Sequence, residues 1–131
     1  MNSKRLLRTT AISILSAGMM VSTAFAGELT ILSTSDVHGS IIGWNYFTAK
    51  PADVGLAKVS TIVRETRAKL TPNDDMLLVD VGDILQGTPL DTYMVQHPTE
   101  WKTHPMFDAY NKIGYDAIVC GNHEFSYGLD Y

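Results

Sequence analysis

Three short apolar runs, each ending abruptly in metal-binding or proton-moving side chains, constrain this chain more than any other feature. Residues 28–34, "ELTILST", lead into "SDVHGS"; residues 76–83, "MLLVDVGD", lead into "ILQG"; residues 115–122, "YDAIVCGN", lead into "HEF". The first run is rich in β-branched residues and reads as a strand. The second is apolar almost throughout, the pattern of a strand buried on both faces. Between them, residues 55–70 carry Leu56, Val59, Ile62, Val63 and Leu70 on one helical face, with most charges off it. A short helix is predicted to start with Thr88 as its cap and Pro89 in its first turn. Another covers residues 105–113 and stops at Gly114. Residues 41–55 are too irregular for one element and read as a long loop. The alternation of strands and helices argues a layered α/β fold with parallel strands. In such sheets functional groups gather past the carboxyl ends of the strands.

The N-terminus reads as a leader. Lys4, Arg5 and Arg8 precede an uncharged stretch, residues 9–26, that ends with small residues at Ala24 and Ala26. This is the pattern of a secretory signal peptide cleaved after Ala26, which predicts export to the periplasm, cell wall or extracellular space. Its apolar centre, "AISILSAGMMV", is shorter than the ~20 residues of a spanning helix, so no integral membrane span is expected after cleavage. Residues 27–131 then form the folded part. They keep seven of the ten Lys and Arg and all fourteen Asp and Glu, a formal charge of −7. So acidic a chain lacks the electrostatic footprint of a nucleic-acid polymer binder. If it acts on phosphate, another source of positive charge is required. Cys120 is the sole cysteine, which excludes a disulfide within the chain. At the end of an apolar run it is expected to be a small buried side chain.

The strand ends carry the chemistry. Asp36 and His38 are two apart, so on an extended chain they point to the same side and can start a metal site. A turn capped by Asp36 is the plainer reading of that pair alone. Asp83 follows Gly82 at the second end, while Asp80 lies within the apolar run, needs a partner if buried, and is left outside the site. Asn122 offers a neutral oxygen ligand, and His123 can bind metal or move a proton. Adjacent residues on a strand point oppositely, so joint service of Asn122 and His123 requires a backbone turn at Gly121 and Asn122. Oxygen and nitrogen donors without thiolate suit Mn, Zn, Fe or Co. Two divalent ions, about 3.5–4 Å apart, would clamp an anionic phosphate on an acidic protein.

The three blocks "DVH", "GDILQG" and "GNHE" resemble the calcineurin-like metallophosphoesterase superfamily in residue type and order. The resemblance implies an α/β/β/α sandwich, of which this chain is the N-terminal part. It implies that Asp36 and His38 bind one metal ion, Asp83 bridges two, and Asn122 binds the second. His123 would face the phosphate as general acid or as transition-state stabiliser, with metal-activated water as nucleophile. "LQGTPL" and "NHEFSYGLDY" are similar to the secreted nucleotidase branch. There the third block of 5'-nucleotidases runs N-H-E-F-D, its Asp pairing with the histidine, and Ser126 stands here instead. This tilts the expected substrate from 5'-nucleotides or nucleotide sugars towards 2',3'-cyclic nucleotides and 3'-nucleotides. The resemblance assigns Glu124 no task. The family's further ligands, a histidine block and a G-H-x-H pair, and its base-contacting C-terminal domain have no counterpart here; His97 and His104 match neither block. The isolated fragment is therefore expected to be inactive, and an exported binding protein on the same scaffold is the competing reading.

Overall fold

The computed structural model describes residues 27–131, and the leader expected over residues 1–26 lies outside the described residues. In chain order the elements are β1 (Leu29–Thr34), β2 (Trp44–Asn45), β3 (Lys50–Pro51), α1 (Leu56–Arg67), β4 (Asp75–Asp80), α2 (Pro89–Gln96), α3 (Pro105–Ile113) and β5 (Ala117–Ile118). A 3-10 turn, His123–Phe125, follows. The expected α/β fold is present as a parallel sheet in the order β1-β4-β5. Residues 41–55 contain a minimal antiparallel hairpin, β2 with β3.

Register sets where the loops emerge. Leu29 pairs with Asp75, Thr34 with Asp80, and Asp80 with Ile118, so the three strands end on one line. Their following loops therefore leave from the same edge. Main-chain bonding continues past the strands, from Asp36 N–H to Gly82 O (3.1 Å), His38 N–H to Asp83 O (3.0 Å) and Gly39 N–H to Ile84 O (2.7 Å).

One face of the sheet is packed. Leu56 and Val63 of α1, Leu78 of β4, and Met106, Tyr110 and Ile113 of α3 join Ile84 and Leu85 in a single core. Each such side chain contributes roughly 1.5–3 kcal/mol on burial. Arg67 ties the two helices together, its guanidinium donating to the carbonyls of Ile113 (2.6 Å) and Gly114 (2.7 Å). Those carbonyls end α3 and lack helical partners, so a cation is favoured there. At α2, Asp91 accepts the N–H of Thr88 (3.0 Å), and the Thr88 hydroxyl donates to Gly39 O (3.2 Å), fastening the helix start to the loop after β1.

The strands differ from expectation in three respects. β4 is not buried on both faces: Leu78 and Asp80 are 1% exposed, whereas Leu77 is 39% exposed, and Ile31 on β1 is 59% exposed. The run is apolar on both sides, but among the described residues α1 and α3 pack on one side only. β4 also stops at Asp80, because Gly82 (φ 99°) and Asp83 (φ 59°) leave the extended region. Finally, β5 keeps only two residues of the third run, and Cys120 beyond it is exposed rather than buried, since this strand forms an edge of the sheet.

Candidate metal centre

The backbone of the strand ends is unusual where the chemistry is expected. Asp36 (φ 53°), His38 (φ 46°), Asp83 (φ 59°) and Gln86 (φ 71°) all adopt left-handed conformations. For residues with a Cβ this costs roughly 1–2 kcal/mol each. Asp and His tolerate the region better than most residues; Gln has no such preference. The main-chain bonds between the β1 and β4 loops offset the cost. The loops after β4 and β5 meet through two glycines. A Cβ on Gly82 would lie 2.3 Å from Gly121 N, and one on Gly121 would lie 2.3 Å from the Asp83 carboxylate. Only glycine permits that approach.

At this junction His38, Asp83 and His123 bring their ligand atoms within 4.8 Å of one another. The His38 and His123 rings meet edge to face, with centroids 5.0 Å apart. His38 Nδ1 lies 2.8 Å from the carbonyl oxygen of Gln86. A carbonyl only accepts, so Nδ1 carries the proton and the Nε2 lone pair is free for a cation. Asp36 stands at the rim, its carboxylate 3.7 Å from His38 Nε2 and its side chain 61% exposed. The Asp36 and His38 side chains thus adjoin through a left-handed turn and not through the extended geometry expected. Asn122 opens the turn that carries His123 and makes no side-chain capping bond. The backbone turns at this point as the pairing of Asn122 with His123 required. The donor set suits a divalent cation, with an unblocked imidazole nitrogen and a carboxylate converging on one point.

Two further carboxylates build the floor. Glu124 accepts four backbone N–H bonds, from Asp83 (2.9 Å), Ile84 (2.6 Å), Leu85 (3.1 Å) and Gly121 (2.6 Å). Burial alone would raise its pKa; the four donors outweigh that and hold it below the ordinary carboxylate value. Asp80 is buried and accepts from the Thr34 hydroxyl, from Tyr110 OH (2.8 Å) and from Gly82 N–H (2.8 Å). Because Thr34 gives its one proton to Asp80, Tyr115 OH donates to Thr34 (2.9 Å). Burial, and then the bond to Asp80, pushes the Tyr110 phenol well above its ordinary range.

Asp83 is also tied to the next loop, its Oδ1 accepting the N–H of His123 (2.8 Å). His123 Nδ1 meets the Gln86 side-chain oxygen (2.5 Å) and the Ser126 hydroxyl (3.2 Å). Glu124 and Gln86 had no role on the sequence. Their only signal there was membership of "GNHE" and "GDILQG", which does not say what either side chain touches.

Residues 29–131 match the family described as Calcineurin-like phosphoesterase, and the chain belongs to that family of phosphoric ester hydrolases. It is 40% identical over 110 residues to the trifunctional nucleotide phosphoesterase protein YfkN of Bacillus subtilis, covering 79% of this chain and 7% of that protein. It is 36% identical over 106 residues to a Yersinia enterocolitica 2',3'-cyclic-nucleotide 2'-phosphodiesterase/3'-nucleotidase, covering 79% and 16%. Other relatives are named 5'-nucleotidase. A crystal structure of YfkN superposes with a TM-score of 0.69 at 42% identity, covering 78% of this chain and 31% of that one. The chain spans less than a quarter of the length of these curated relatives.

Proposed function

We propose that this chain provides the metal-holding end and the phosphate-facing histidine of a nucleotide phosphoesterase, acting on 2',3'-cyclic nucleotides and 3'-nucleotides. The observation that carries this reading is the convergence of His38, Asp83 and His123 within 4.8 Å past the ends of parallel strands. His38 through Nε2, Asp83 through its carboxylate, and Asp36 and Asn122 beside them would hold two divalent ions of the Mn, Zn, Fe or Co type. When bound, such ions supply the positive charge that an acidic chain lacks and lower the pKa of water to near neutrality. With its Nδ1 engaged, His123 keeps Nε2 for the substrate. Once the ring is protonated at Nε2 as well, the imidazolium would donate that proton to the departing ribose oxygen or stabilise charge on the phosphoryl group. A cleft of 730 Å³ opens beside Gln86, lined by Phe47, Pro89, Tyr93 and Tyr127, and its size suits a nucleotide. Export, as the leader pattern predicts, would place the enzyme where extracellular nucleotides are degraded.

The substrate preference rests on Ser126, since a hydroxyl cannot hold an imidazolium as a carboxylate would. Relatives named 5'-nucleotidase support a second reading, hydrolysis of 5'-nucleotides or nucleotide sugars. The test is hydrolysis by the protein that carries this chain, loaded with Mn or Zn, of 2',3'-cyclic, 3'- and 5'-nucleotides side by side. Faster turnover of the first two is expected, and faster 5'-hydrolysis would transfer the assignment to the second reading. Failure on all three would sink the proposal.

A further inference from the structure

We propose that Gln86 is the positioning residue of this site, one side chain and one carbonyl that together set the tautomers of both histidines. Its main-chain oxygen takes the proton of His38 Nδ1 at 2.8 Å, and its side-chain oxygen faces His123 Nδ1 at 2.5 Å. Each imidazole is therefore left with Nε2 as its open nitrogen, and the two ring centroids stand 5.0 Å apart. Neutral imidazole has one donor and one acceptor nitrogen, and the partner of one nitrogen decides the chemistry of the other.

Two features make this arrangement a built one. Gln86 is held at φ 71°, a left-handed conformation that glutamine does not favour, and it lies between Leu85 in the core and Gly87. The fold maintains this strain at the position where both of its oxygens meet histidines. The other contact to His123 Nδ1 is weaker: Ser126 Oγ stands farther off, at 3.2 Å, on an exposed residue of the same turn. A hydroxyl can donate or accept, so Ser126 selects no tautomer; a side-chain carbonyl accepts only and selects Nδ1–H. Gln86 thus fills the orienting place that Ser126 leaves open. The bond crosses from the β4 loop to the β5 loop, between residues 37 positions apart.

The inference rests on the reading of His123 as the group that faces phosphate, and its test does not depend on turnover. Nitrogen-15 spectra of the histidine side chains, recorded on the metal-free protein at a pH where the imidazoles are neutral, report which nitrogen is protonated. Single His→Gln variants assign the signals. In the wild type, His38 and His123 are both expected as single Nδ1–H tautomers. Gln86→Asn, which suits the left-handed backbone but falls one methylene short, is expected to lose the single tautomer at His123 and leave His38 unchanged. His38 is held by the main chain, which the substitution keeps. Gln86→Glu restores reach and acceptor and is expected to retain the His123 tautomer; Ser126→Ala is expected to leave it intact. An unchanged His123 tautomer in Gln86→Asn, or its loss in Ser126→Ala, would overturn the inference. So would an Nε2–H tautomer at His123 in the wild type, since the Gln86 amide would then be donating through its nitrogen. Loss of hydrolysis with the tautomers intact would count against the proposed reaction and not against Gln86.

Discussion

Asp80 and Asp83 stand three residues apart on the same chain turn, yet they have opposite fates. Asp80 is 1% exposed and satisfied by Thr34, Tyr110 and Gly82. Asp83 takes one bond, from His123 N–H, in a half-buried position and shares a point with two imidazoles. The lesson is that acidity at a strand end does not identify a ligand. A carboxylate whose acceptors are filled by the protein's own donors fastens the fold, and one left with open lone pairs can take a cation. Glu124 belongs with Asp80 by this criterion, and Asp36 with Asp83.

The comparison predicts that the filled carboxylates hold the core and the loops in place, while the open ones bind metal. Asp80→Ala leaves three donors without their acceptor and should cost on the order of 3 kcal/mol or more. Urea unfolding measures this, and a variant as stable as the wild type would break the comparison. Gly121→Ala places a methyl against the Asp83 carboxylate and should cost about 1–3 kcal/mol, as overpacking does. The same unfolding curves should show it, together with weaker Mn binding by calorimetry. Glu124→Gln cannot accept four N–H bonds, because its amide nitrogen is a donor. Metal affinity should fall about 10- to 100-fold, as when groups that orient metal ligands are lost. Unaltered affinity would mean that the two loops do not depend on Glu124. Asp83→Asn keeps an oxygen for His123 N–H, so its stability should stay within about 0.5 kcal/mol of wild type, in the range of surface substitutions. Metal binding should nevertheless be abolished, and retention of wild-type affinity would show that Asp83 is not a ligand.

The smallest effect lies away from the centre. Burial holds His104 below its ordinary 6.5, with Asp91 opposing; burial likewise lifts Asp91 above its ordinary 3.8. As pH falls below 6.5, the unfolded chain takes up a proton at His104 that the folded chain refuses, so stability drops. Asp91, its carboxyl lifted by burial, acts in the opposite sense as pH falls. Unfolding midpoints between pH 8 and 5 should decline less in His104→Asn, which keeps a capping side chain before α3, and equal slopes would remove His104 as the cause.

Much of this was legible in the chain. Leucine and valine spacing marked α1, Thr88 with Pro89 marked α2, and Gly114 marked the end of α3, because local propensities and capping act within a few residues. The blocks at the strand ends named the family, and His38, Asp83 and His123 do meet. The burial of β4 was misjudged because an apolar run shows what can be buried and says nothing of what lies over it. Cys120 was misjudged for the same reason.

Sequence alone determined the order of the sheet strands and helices and the kinds of donor at each strand end, since both are carried by neighbouring residues. Tertiary structure decided which donors remain open. Glu124 is filled by N–H groups up to 41 positions away, Asp80 by Tyr110 and Thr34, and His123 by Gln86. A side chain's capacity is fixed by its chemistry; whether that capacity is spent depends on the partners that folding brings to it.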